Sequence, residues 1–134
     1  VQTCALPICW LLTQPDAQSL SPGYFGSSTG AAAALVAAAG LGTTIRAVVS
    51  RGGRPDLAGD ALHAVTPPTL LIVGEADQGV LSLNQQALRQ ITAPAELAVV
   101  PGATHLFEEP GALSTVSDLA ARWFQRHLAP PPPP

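Results

Sequence analysis

Between Gly23 and Ala39 the sequence passes from a short apolar run bounded by glycines, through Gly26-Ser27-Ser28-Thr29-Gly30, into an alanine-rich stretch. This transition constrains the fold more than any other feature of the chain. Thr29 to Ala39 has high helix propensity and side chains small enough to pack tightly on a sheet. Gly23-Tyr24-Phe25-Gly26 reads as a strand, so the sequence predicts a strand, a sharp turn and a buried helix. A G-x-S-x-G at that junction would hold its middle residue in a strained conformation around which only small neighbours such as Gly26 and Gly30 fit. A Gly/Ser-rich turn before an alanine helix would look the same, so the pentapeptide alone leaves both readings open.

The rest of the chain repeats the alternation. Ile45 to Ser50 (IRAVVS) is rich in β-branched residues and ends at the Gly52-Gly53 turn, and Pro55 to Val65 reads as a short helical or irregular link. Thr69 to Val73 (TLLIV) is a near-continuous apolar run, as expected of a parallel strand covered on both faces. Leu81 to Ile91 follows with helical spacing, and Leu97 to Val100 is the next strand. From about Leu113 to Leu128 a helix carries Val116, Leu119, Ala120, Trp123, Phe124 and Leu128 on one face, with Ser114 or Ser117 near its start as a cap. The fold class predicted is α/β, with a parallel sheet of about four strands and helices on both faces.

Two further carboxylate- and imidazole-bearing segments give the Ser28 turn its chemical context. Thr69–Val73 runs into Gly74-Glu75-Ala76-Asp77, and Leu97–Val100 runs into Pro101-Gly102-Ala103-Thr104-His105. In a parallel sheet all three groups lie at one edge, beyond the carboxyl ends of their strands. The chain order Ser, Asp, His is that of one known triad architecture, in which His105 would be general base to Ser28 and Asp77 would orient the imidazole. Thr29 N–H, at the positive end of the following helix, would donate to a developing oxyanion. Singly, Asp77 would serve as a helix cap and His105 as a loop histidine; jointly they point to a triad. Asp56, beyond the strand that ends at Ser50, is the alternative acid, and Asp60 lies nearby. Arg51 and Arg54 sit at the same edge, where contact with an acidic substrate is one reading and a solvated loop the favoured one. Glu108-Glu109 lead into the last helix. His63 lies in a connecting segment, and His127 near a helix C-terminus suits the helix dipole.

GYFGSSTGAAAAL, LLIVGEAD and VPGATHLFEEPG resemble the nucleophile, acid and base segments of the α/β-hydrolase superfamily. The closest likeness is to its dienelactone-hydrolase-like branch, including modules fused to phosphoribosyltransferases, and it extends from about Trp10 to Leu128. The resemblance implies cleavage of an ester, thioester or lactone through an acyl-enzyme, with a small-molecule acyl substrate and with neither cofactor nor metal. The short link from Ser50 to Thr69 implies a hydrolase without a lid. Strict dienelactone hydrolases use a cysteine nucleophile, and here the position is Ser28. A non-catalytic α/β module or fusion partner retaining the triad by descent is the other reading.

The strands correspond by this resemblance to the last four of the superfamily's eight, so the chain reads as the C-terminal half of the fold. The second oxyanion donor would lie in the missing N-terminal part, and the piece alone is expected to be inactive or nearly so. The chain has 134 residues and no Met, which fits an internal piece. Val1 to Ile8 (VQTCALPI) follows none of the periodicities and resembles the translation of a short-read sequencing adapter; it is expected to be a non-native scar, with the hydrolase part covering residues 9–129 and a proline tail at 130–134. Trp10 to Leu20 fits the last turns of a helix, interrupted by Pro15.

Composition removes other function classes. All six basic residues are Arg, scattered along a chain of net charge −3, so no basic stripe faces a nucleic acid. Charged residues are 11% and hydrophobic ones 47%, too apolar for a disordered chain. Gly30 to Gly42 is too short to span a membrane. Two cysteines with no histidine cluster support neither a disulfide framework nor a zinc site, and a cytoplasmic setting is the default expectation.

Overall fold

Residues 47–50 and 69–74 are buried, and the molecule is arranged around them. The computed structural model describes residues 2–129; Val1 and the Pro130–Pro134 tail lie outside the described residues. Four parallel strands, β1 (Gly23–Ser27), β2 (Ala47–Arg51), β3 (Thr69–Gly74) and β4 (Ala95–Val100), stand in the spatial order β1-β2-β3-β4. All six residues of β3 are buried, which is why its sequence is apolar without alternation. The outer strands are partly exposed, and Phe25 of β1 is 50% exposed.

The helices are α1 (Gln2–Leu11), α2 (Thr29–Leu41), α3 (Gln78–Leu88) and α4 (Ala112–Leu128). Because the strand order never reverses, successive right-handed crossovers fall on one face. Accordingly Ala32, Leu35 and Ala38 of α2, Ala87 of α3 and Leu62 of the link pack with Val48 and Ile45. The other face is covered by the final helix, where Val116, Ala120 and Trp123 meet Ala47, Val49, Leu70 and Ile72. The alanines of α2 let its axis approach the sheet closely. Ala31 and Ala38, with Leu35 between them, are fully buried.

Several local details differ from the sequence expectations. Strand β2 begins at Ala47, and Ile45 is buried just ahead of it. The third helix starts at Gln78 and ends at Leu88, leaving Ile91 buried in the turn beyond. Helix α4 is not capped by Ser114 or Ser117: its cap position is Gly111, whose φ of +82° favours glycine, and Thr115 Oγ1 donates to the Gly111 carbonyl. The link between β2 and β3 is a 3-10 segment, Pro55–Ala64, kinked at Gly59 and packed on α2. Near the N-terminus, Gln2–Leu11 runs as helix with Pro7 inside it. Ile8 packs on the core, while Leu6 and Trp10 are exposed. Among the described residues no helix is long and apolar enough to cross a membrane.

Candidate active site

Ser28 follows β1 directly and precedes the first residue of α2. Its φ is +50° and its ψ −123°, a conformation that costs a side-chain-bearing residue about 1–3 kcal/mol. The backbone is fixed from both sides. Its N–H donates to the Arg51 carbonyl at 3.1 Å, and its carbonyl accepts from Ala31 N at 3.2 Å and Arg54 N at 3.1 Å. Serine is a favoured helix cap, and Ser28 occupies the cap position of α2, yet its hydroxyl makes no capping bond. Thr29 N–H, the first of the helix, belongs to the group of amides that a helix leaves without internal partners.

The crowding expected around this turn is real at Gly26 and missing at Gly30. A Cβ on Gly26 would stand 2.5 Å from Ala31 Cα and 2.8 Å from Ala31 N, because the first turn of α2 doubles back over the strand. A Cβ on Gly30 would meet nothing within 4 Å. The steric reason for the second glycine therefore does not hold, since position 30 faces away from the strand end.

Asp77 occupies the cap position of α3, and it too makes no capping bond. Its carboxylate is turned to the imidazole: Oδ2 lies 2.6 Å from His105 Nδ1. The pair is partly screened from solvent, with side-chain exposures of 18% for Asp77 and 40% for His105. Ser28 and Asp77 thus share one departure from helix-cap chemistry, each presenting its oxygen to the edge of the sheet.

His105 comes from the loop after β4 and must travel back across the end of β3. Gly74 opens that route, since a Cβ there would lie 2.2 Å from the Ala103 carbonyl oxygen, and Ala76 N–H donates to the same oxygen at 3.0 Å. The imidazole then rests on Gly52, where a Cβ would be 3.4 Å from Cε1. Two carboxylates hold the loop from outside. Glu75 Oε2 accepts from Gly102 N–H at 2.8 Å, and Glu109 Oε1 accepts from Thr104 N–H and Oγ1 at 3.1 and 2.6 Å. The Thr104 hydrogen bonds hold the Glu109 carboxyl below its ordinary range. Phe107 closes the loop, buried and in the left-handed region at φ +57°.

The structure brings Asp77 and His105 together, while Ser28 N–H bonds the Arg51 carbonyl and the imidazole lies against Gly52, the next residue. Among the described residues the Ser28 hydroxyl makes no hydrogen bond to His105. Asp56 is excluded as partner of the imidazole because its carboxylate takes both Arg54 Nε and Nη2, at 2.8 and 2.7 Å, which lowers its pKa. His63 lies in the 3-10 segment, and His127 stacks on Trp123 at 4.3 Å near the end of α4. Sequence reasoning missed Asn84, and it read Glu109 as a lead into the last helix and Arg51 as part of a solvated loop. Asn84 is fully buried and donates to the Gly53 carbonyl at 3.0 Å, pinning the turn beneath His105. A polar residue at a core-facing helical position was its one legible signal.

No protein-family model matches the chain. A protein of Mycobacterium tuberculosis, provisionally named a phosphoribosyl transferase, is 64% identical over 124 residues, which are 92% of this chain and 28% of that protein. A dienelactone hydrolase from Anabaena variabilis is 53% identical with a TM-score of 0.93, over 94% of this chain and 58% of that one. A dienelactone hydrolase-like promiscuous phosphotriesterase from metagenomic libraries is 18% identical with a TM-score of 0.71, over 91% of this chain and 59% of that one, and this likeness concerns the fold. The chain therefore spans under a third of the curated relative and under two thirds of the Anabaena hydrolase.

Proposed function

We propose that this stretch of the dienelactone-hydrolase-like α/β-hydrolase fold carries the nucleophile, acid and base of a serine hydrolase. The observation that carries this reading is the 2.6 Å contact between Asp77 Oδ2 and His105 Nδ1, at the sheet edge where Ser28 stands in its strained turn. With Nδ1 donating to Asp77, the Nε2 of His105 is the basic nitrogen. It takes the Ser28 proton as Oγ attacks an acyl carbon, and then delivers that proton to the departing oxygen or sulfur. Thr29 N–H donates to the oxyanion that forms. Water, deprotonated by His105, next releases the acyl group and regenerates Ser28.

The acyl substrate is an ester, thioester or lactone of a small molecule. Gly52, rather than a lid, forms the floor beside the imidazole, and the 3-10 link packs away from the edge against α2. The provisional name of the Mycobacterium relative, matched over 28% of its length, supports a longer polypeptide in which this hydrolase unit is fused to a phosphoribosyl transferase domain. A cytoplasmic location fits that arrangement.

The test is labelling of the full-length protein by a fluorophosphonate. Labelling of the wild type that disappears in Ser28→Ala and in His105→Ala is the expected result. The rival reading, a module that keeps the triad by descent, is favoured by the missing Ser28–His105 hydrogen bond, although such bonds are often long before substrate binds. Absence of labelling in the wild type would establish that rival.

A further inference from the structure

We propose that Arg51 is a positioning residue that ties the strand bearing the nucleophile to the loop bearing the base. This rests on the reading of Ser28, Asp77 and His105 given above. Arg51 is the last residue of β2 and the register partner of Ser27 at the tip of β1. Its carbonyl accepts the Ser28 N–H at 3.1 Å. Its guanidinium reaches in two directions: Nη1 donates to Ser27 Oγ at 3.0 Å, and Nη2 donates to the Leu106 carbonyl at 2.8 Å. The guanidinium carbon also lies 5.1 Å from the centroid of the Phe107 ring. One residue therefore contacts both neighbours in sequence of the two reacting side chains, Ser27 beside Ser28 and Leu106 beside His105.

The chemistry of the group suits this task. A guanidinium is always charged and presents its donors in a rigid planar fork, so two acceptors bound at once are held at a fixed separation. An ammonium on a flexible lysine stem is a point charge and does not fix that separation. Among the described residues the Nε of Arg51 is buried with no hydrogen-bond partner. Both Nη contacts and the Phe107 ring fix the plane. The loop needs such a hold, because Phe107 lies in the left-handed region with its ring in the core, and the turn from Thr104 to Phe107 is closed by a Phe107 N to Thr104 O bond of 3.2 Å. Arg51 is thus turned to the loop, and Arg54 is paired with Asp56.

The experiment compares the rate of fluorophosphonate labelling and the melting temperature of the full-length protein with those of Arg51→Ala, Arg51→Met and Arg51→Lys. The expected result is a fall of about 10- to 100-fold in labelling for Arg51→Ala and Arg51→Met, the range for a misplaced reacting group. Arg51→Lys falls between them and the wild type. Millimolar guanidinium ion restores labelling of Arg51→Ala severalfold without moving its melting temperature, and an equal concentration of tetramethylammonium does not. Wild-type rates in Arg51→Met, with the wild type itself labelled, would overturn the role of Arg51 and leave the Ser28 reading intact. Loss of labelling that only follows a loss of melting temperature, with no response to guanidinium, would also overturn it, since Arg51 would then serve stability alone. Should the Ala and Met variants fail to fold, Arg51→Lys decides: labelling at the wild-type rate overturns the role, and slower labelling at an unchanged melting temperature supports it.

Discussion

The carbonyl oxygen of Ala103 fills the space that a side chain on Gly74 would need, 2.2 Å from the position of its Cβ. Both partners are backbone, so neither can rotate aside. Gly74→Ala is therefore expected to lower stability by about 1–3 kcal/mol, as overpacking in a dense interior does. It is also expected to slow fluorophosphonate labelling by displacing the loop that bears His105. Gly30→Ala, with no atom within 4 Å of its Cβ, is expected to change stability by less than about 1 kcal/mol. Urea unfolding of the two variants side by side checks the contrast, and equal destabilisation would refute it.

Asp77 and Asp56 are both aspartates that follow a strand, and they are expected to behave differently when neutralised. Asp77→Asn removes the carboxylate from His105 and is expected to cost about 10⁴-fold in labelling rate at an unchanged fold, as in other triads. Asp56→Asn breaks an exposed pair with Arg54 and leaves labelling near the wild-type rate. If the larger loss fell on Asp56, the assignment of the acid would be reversed.

His127 gives the molecule a pH response away from the site. Its pKa is lowered from 6.5 mainly by burial, with Arg126 pushing the same way and Glu96 opposing. The unfolded chain then takes up a proton near pH 6.5 while the folded one still resists it. The stability this provides is complete above that pH and is lost as pH falls through the depressed folded value. His127→Phe is expected to flatten the fall in melting temperature between about pH 7 and pH 5. An unchanged slope in that variant would assign the response elsewhere.

Glu109 is expected to matter to the base loop although it carries no chemistry. Its carboxyl is held below the ordinary value of 4.5 chiefly by the Thr104 side chain, so its contribution is present above that value and lost as pH falls through the depressed one. Glu109→Ala frees the Thr104 amide and is expected to speed hydrogen exchange at Thr104 while exchange in β3 is unchanged. Exchange at Thr104 equal to that of the wild type would show that the loop is held without Glu109.

Much of this architecture was legible in the sequence because burial on two faces leaves a plain record. TLLIV is apolar throughout since nothing in β3 meets water, and α2 is alanine-rich since its axis lies close to the sheet. Asp77 and His105 could be placed at one edge because each follows a strand in a parallel sheet. What could not be read is where a side chain goes once loops from different strands meet. Asp77 and Ser28 have the composition of helix caps, and whether they cap depends on partners far away in sequence. The contacts of Arg51 with Ser27 and Leu106, 24 and 55 residues distant, have no local signature. Nor has the pinning of Gly53 by Asn84.

The unreversed strand order has a consequence for how such a site fails. Among the described strands Ser28 follows β1 and His105 follows β4, three strand spacings apart, a span of about 14 Å at the usual strand spacing. The imidazole is brought back toward Ser28 by the irregular loop after β4 rather than by the sheet. Warming is therefore expected to silence the chemistry before it melts the molecule: the labelling rate should decline while the circular dichroism of the sheet and helices still reports an intact fold.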